Sequence, residues 1–123
     1  MSRILVMDDD DVFRSALRVV LEEAAYEVTE ARDGAAGLRL YRETGADLVL
    51  VDIFMPEVDG LDVIRALRTE LPRPKIVAMS GGGQAGHKDI LQIAAALGAE
   101  QTLAKPFAPR ALLSALRDLL GPG

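Results

Sequence analysis

The chain has 123 residues, half of them hydrophobic, and a formal net charge of −5. That length suits one domain with a substantial core and leaves no room for a second of ordinary size. The lack of cysteine excludes disulfides, thiolate metal sites and a cysteine nucleophile and fits a reducing, cytoplasmic setting, while the acidic balance argues against direct nucleic-acid binding.

Ile4-Leu5-Val6-Met7 is a short apolar run that reads as a buried strand. It is too short for a signal peptide, and Asp8-Asp9-Asp10-Asp11 ends it. Phe13, Ala16, Leu17, Val20, Leu21 and Ala24 then recur at helical spacing, with Asp10 or Asp11 as the N-cap. Glu27 to Ala31 alternates polar and apolar, as an edge strand would. Asp33-Gly34 opens a weak helix through Leu38 and Tyr41, with Gly37 inside it and a stop near Gly45.

Leu48-Val49-Leu50-Val51 is a third apolar run, and it ends at Asp52. Asp59-Gly60 reads as a turn and cap before a helix on Leu61, Ile64, Leu67 and Leu71, ended by Pro72 and Pro74. Lys75 to Ser80 is a fourth strand, followed by the glycine-rich loop 81–86. Ile90, Ile93, Ala94 and Leu97 mark a helix closed by Gly98, and Gln101 to Lys105 is a fifth strand ended by Pro106. Pro109 starts a last helix on Leu112, Leu113, Leu116, Leu119 and Leu120, which Gly121-Pro122-Gly123 stops. No stretch approaches the roughly 20 apolar residues of a membrane span.

Short connections between alternating strands and helices force parallel strands with right-handed crossovers. The expected fold is a doubly wound α/β domain, a five-stranded parallel sheet with helices on both faces. All strands of such a sheet point their carboxyl ends at one edge, where ligands bind. Those ends carry Asp8 and Asp9, Asp52, Ser80 and Lys105. Neighbouring carboxylates repel, and a hard divalent cation relieves this; oxygen ligands without His or Cys suit Mg²⁺. Lys105 can meet a phosphoryl oxygen and Ser80 can donate a hydrogen bond to another. The set describes phosphoryl transfer to an aspartate nucleophile.

At this point the chain resembles the receiver (response regulator) domains of two-component signalling, such as the bacterial chemotaxis response regulators. The resemblance rests on the acidic pair Asp8-Asp9, the stretch Asp52-x-x-Met55-Pro56-x-x-Asp59-Gly60, Ser80 after the fourth strand, and Lys105-Pro106-Phe107. It covers the whole chain, read as one domain over 1–123 with no output domain, and implies the flavodoxin-like strand order 2-1-3-4-5. It implies that Asp52 accepts a phosphoryl group from a phosphohistidine on a histidine kinase or phosphotransfer protein. Asp9 would hold Mg²⁺ directly, Asp8 directly or through water, with Asp52 and the backbone carbonyl of Phe54 as further ligands. Lys105 would pair with phosphoryl oxygens. Ser80 would move onto the phosphoryl group and alter the face of the fourth helix, fifth strand and fifth helix for a downstream protein partner. The Lys105–Pro106 peptide is often cis in this family.

Two departures stand out. The family usually has Tyr or Phe, the aromatic switch residue, where Thr102 stands. Alanine is common after serine, whereas Gly81-Gly82-Gly83 follows Ser80. The three glycines predict larger backbone motion in place of a ring swing. Amide exchange with and without a phosphoryl mimic tests this, and a loop equally rigid in both states counts against it.

Rival readings are weaker. Asp8-Asp9-Asp10-Asp11-Val12 also fits a haloacid dehalogenase-type phosphatase, with Asp8 as nucleophile and Asp10 as acid/base, but this leaves Asp52 and Met55-Pro56 unexplained. Gly81-x-Gly83-x-x-Gly86 matches a dinucleotide-binding spacing after the wrong strand, and His87 stands where a Walker loop needs lysine. His87 itself reads as a surface residue. A degenerate receiver used only for docking would lack site residues that are all present here.

Overall fold

The structure, a computed structural model, describes residues 1–81 and 87–121, at positions 87 and 88 the backbone only. Five strands alternate with five helices: β1 (Arg3–Met7), α1 (Asp11–Glu23), β2 (Glu27–Ala31), α2 (Gly34–Thr44), β3 (Leu48–Asp52), α3 (Gly60–Leu67), β4 (Lys75–Gly81), α4 (His87–Leu97), β5 (Gln101–Lys105) and α5 (Pro109–Leu120). The sheet is parallel throughout, in the order β2-β1-β3-β4-β5. No helix among the described residues is long and apolar enough to cross a membrane.

The continuous apolar runs become the three central strands because both their faces are covered. Ile4, Val6, Leu48, Leu50, Val77 and Met79 pack under α1 and α5, against Leu17, Leu21, Leu112 and Leu116. The alternate residues Leu5, Met7, Val49, Val51, Ile76 and Ala78 pack under α2, α3 and α4, against Tyr41, Ile64, Leu67 and Ala94. β2, at the sheet edge, is only partly buried, as its alternating sequence implies. Order reverses between β1 and β3, and in open α/β sheets ligands bind at the carboxyl ends of the strands beside such a reversal.

The helix starts follow the capping chemistry of their sequences. Asp10 caps α1 by accepting the Val12 and Phe13 N–H groups, Asp33 accepts the Ala36 N–H, and Asp59 accepts the Asp62 N–H. Gly37, expected only to weaken α2, lets the helix backbone lie directly on the Met7 side chain. The reading of Leu71 as part of the third helix is corrected. α3 ends at Leu67, and Leu71 stands 95% exposed in the turn beyond it. The residue before a proline is pushed out of the helical region, so Pro72 excludes Leu71 from the helix. Residues 82–86 of the glycine-rich loop, and with them the expected loop motion, lie outside the described residues.

Candidate functional site

Sheet geometry delivers the site residues one strand at a time. β1 runs into Asp8, which is fully buried, and Asp9 beside it is exposed. β3 ends on Asp52, 5% exposed. Ser80 is fully buried near the end of β4, and the next residue, Gly81, lies in register with Lys105 at the end of β5. Parallel pairing puts the carboxyl ends of β1, β3, β4 and β5 along one edge of the sheet.

Lys105 spans the two buried acids. Its Nζ donates to Asp8 Oδ2 at 2.8 Å and lies 3.7 Å from Asp52 Oδ2. The other Asp8 oxygen accepts the Asp10 N–H at 2.9 Å. Asp52 Oδ1 accepts the Phe54 N–H at 3.4 Å, in the turn that leaves β3. Gly60 is needed beneath this turn, because a β-carbon there would sit 2.5 Å from the Asp52 carbonyl oxygen. The Lys105–Pro106 peptide is cis, as the resemblance implies.

One carboxylate oxygen from each of Asp8, Asp9 and Asp52 lies within 4.8 Å of the other two. Three hard oxygen donors at that spacing, two of them buried and one open to water, fit a small divalent cation that keeps part of its hydration shell. Burial pushes the Asp52 carboxyl up to about 6; Lys105 and the Phe54 N–H oppose the rise, and the charges of Asp8 and Asp9 add to it. Ser80 Oγ is buried and finds no hydrogen-bond partner among the described residues. A buried hydroxyl without a partner is costly.

Asp10, the acid/base of the phosphatase reading, is committed to the α1 cap and is not in the carboxylate cluster. Thr102 is half-buried and in register with Ala78, on the sheet face that α4 covers.

Sequence reasoning missed a second layer. Arg14 donates to the Asp8 carbonyl oxygen at 2.6 Å, to Asp11 Oδ1 at 2.6 Å and to Glu30 Oε1 at 2.9 Å. Arg18 completes the network at Glu30 Oε2, 2.6 Å away. Burial works against the Glu30 charge, but the two guanidinium groups outweigh it and hold the carboxyl below its usual value. This network ties the acid-bearing turn to β2. Phe13, read only as core, places its ring 4.1 Å from Lys105 Nζ. An aromatic and an arginine in the first turn after an acid run were the available signals.

Residues 4–117 match the family of response regulator receiver domains. The chain is 35% identical over 118 residues to the chemotaxis protein CheY of Thermotoga maritima, covering 95% of this chain and 96% of that protein. It is 32% identical to the transcriptional regulatory protein ResD of Bacillus subtilis, covering 97% of this chain and 48% of that one. Among solved structures, a response regulator receiver domain protein of Clostridium thermocellum superposes with a TM-score of 0.89 at 28% identity, covering 98% of this chain and 94% of the other. The chemotaxis response regulator CheY4 of Vibrio cholerae gives a TM-score of 0.86 at 30% identity, covering 98% and 99%.

Proposed function

Because the chain belongs to the response regulator receiver domain family, the phosphoacceptor module of two-component signalling, we propose that Asp52 is its acceptor and that Asp8, Asp9, Ser80 and Lys105 serve the transfer. The observation that carries this reading is the position of Lys105 Nζ, 2.8 Å from Asp8 and 3.7 Å from Asp52, beside three carboxylates that converge within 4.8 Å.

The ionised Asp52 carboxylate attacks the phosphorus of a phosphohistidine. An O–P bond forms, the P–N bond breaks, and the imidazole nitrogen keeps the electron pair. Asp8, Asp9, Asp52 and the Phe54 carbonyl would hold Mg²⁺, which when bound neutralises charge on the phosphoryl oxygens and on the acids around them. Lys105 exchanges a carboxylate for a phosphoryl oxygen. The Ser80 hydroxyl, already desolvated, donates to another, so its partner is gained with no further loss of water. Family membership implies a histidine kinase or phosphotransfer protein as donor. The chain is a phosphoacceptor rather than an enzyme acting on a separate substrate, and it assists its own phosphorylation and dephosphorylation. Its output is a changed surface of α4, β5 and α5 that a downstream protein reads.

Incubation with acetyl phosphate and Mg²⁺ tests the reading. Incorporation is expected in the unsubstituted protein, none in Asp52→Asn, and a large loss of rate in Lys105→Ala. Undiminished incorporation in Asp52→Asn would reject it.

A further inference from the structure

Lys105 has a third neighbour besides the two carboxylates. Its Nζ stands 4.1 Å from the centroid of the Phe13 ring. A cation at that distance from an aromatic face is attracted by the ring's quadrupole. A lysine ammonium rides on a flexible four-carbon stem and does not hold one position unaided.

The ring has packing partners of its own. The Phe13 N–H donates to the capping Asp10 at 3.1 Å. Its side chain meets Phe107 edge-on, with centroids 5.8 Å apart and planes at 84°. Phe13 and Phe107 line an apolar groove between α1 and α5 with Leu17 and Leu112. The ring is therefore held by packing on Phe107 and this groove, whereas the ammonium ends a flexible stem.

We infer that Phe13 is a positioning residue for phosphoryl transfer: its ring holds the Lys105 ammonium between Asp8 and Asp52, where incoming phosphoryl oxygens must be met. This rests on Asp52 as acceptor and Lys105 as the partner of the phosphoryl oxygens. The ring also keeps water from part of the ammonium, which strengthens its pull on Asp52 across 3.7 Å. When phosphoryl oxygens replace a carboxylate, the aromatic contact persists, so the cation is already oriented. A leucine at position 13 would fill the space without attracting the charge.

Fluorinated phenylalanines at position 13 keep the ring's shape and weaken its negative face. The initial rate of Asp52 labelling by acetyl phosphate with Mg²⁺ is expected to fall stepwise with fluorine number, by about 2- to 5-fold over the series, at unchanged melting temperature. Phe13→Leu should show the same loss and Phe13→Tyr should restore the rate. In the unphosphorylated protein the Lys105 methylene protons next to Nζ are expected upfield, and Phe13→Leu should return them to ordinary lysine positions. Full-rate labelling of Asp52 across the fluorine series, or methylene resonances that do not move in Phe13→Leu, would overturn the inference alone. No label on Asp52 in the unsubstituted protein would overturn the acceptor reading and this inference with it.

Discussion

Asp52 is a buried carboxylate beside two others. Burial raises its carboxyl from 3.8 to about 6 in the folded chain. The folded state therefore binds more protons than the unfolded one between those values, and stability falls as pH rises through them. Above pH 6 the ionised carboxylate costs about 3 kcal/mol at most. Asp52→Asn should accordingly stabilise the cation-free protein at pH 7.5 by roughly 1–3 kcal/mol. The gain should shrink to a few tenths of a kcal/mol near pH 3.5, where the carboxyl is protonated in the folded chain and mostly so in the unfolded one, and urea melts in a chelator at the two pH values check it. Asp8, Asp9, Asp52, Ser80 and Lys105 were all legible in the sequence, since each stands at the end of an apolar run. Phe13 and Arg14 were not. Helical spacing makes Phe13 look like core, and Arg14 finds Glu30 and the Asp8 carbonyl only once β2 lies beside β1.

At the scale of elements, the β3–α3 connection is the tightest part of the site. Gly60 donates its N–H to the Ile53 carbonyl at 2.8 Å, and the Asp52 backbone occupies the place of a β-carbon. Gly60→Ala must move the segment that carries Asp52. A loss of about 1–3 kcal/mol by denaturant unfolding is expected, with slower labelling of Asp52, and an unchanged midpoint would contradict the packing argument. The strands and helices were readable from apolar runs and caps, and the error at Leu71 has a local cause. Its spacing continues the α3 stripe, but the backbone restriction imposed by Pro72 overrides the pattern. The missing ring at Thr102 belongs to this scale as well. Thr102 and Ala78, side by side in register on the α4 side of the sheet, are both small, so neither supplies a ring to swing.

At the scale of the whole molecule, the proposed site lies where the order of the parallel sheet reverses. Asp8 and Lys105 are 97 residues apart and meet only when β1, β3, β4 and β5 are all in place. A cation bound by acids from two of these strands should stabilise the entire fold. Mg²⁺ at one hundred times its dissociation constant is expected to add about 2.7 kcal/mol. Thermal melts across a Mg²⁺ titration measure the gain, which should be largely lost in Asp9→Asn. The fold was legible because alternation of strand and helix with short links admits few topologies, whereas contacts such as Lys105 over Phe13 depend on packing that no local pattern encodes. The most direct test of the account is to locate the phosphoryl group. After acetyl phosphate treatment with Mg²⁺, borohydride reduction converts a phosphorylated aspartate to homoserine, and peptide sequencing by mass spectrometry finds it. The expected result is homoserine at position 52 alone; homoserine at position 8 or 9 with none at 52 would contradict the account.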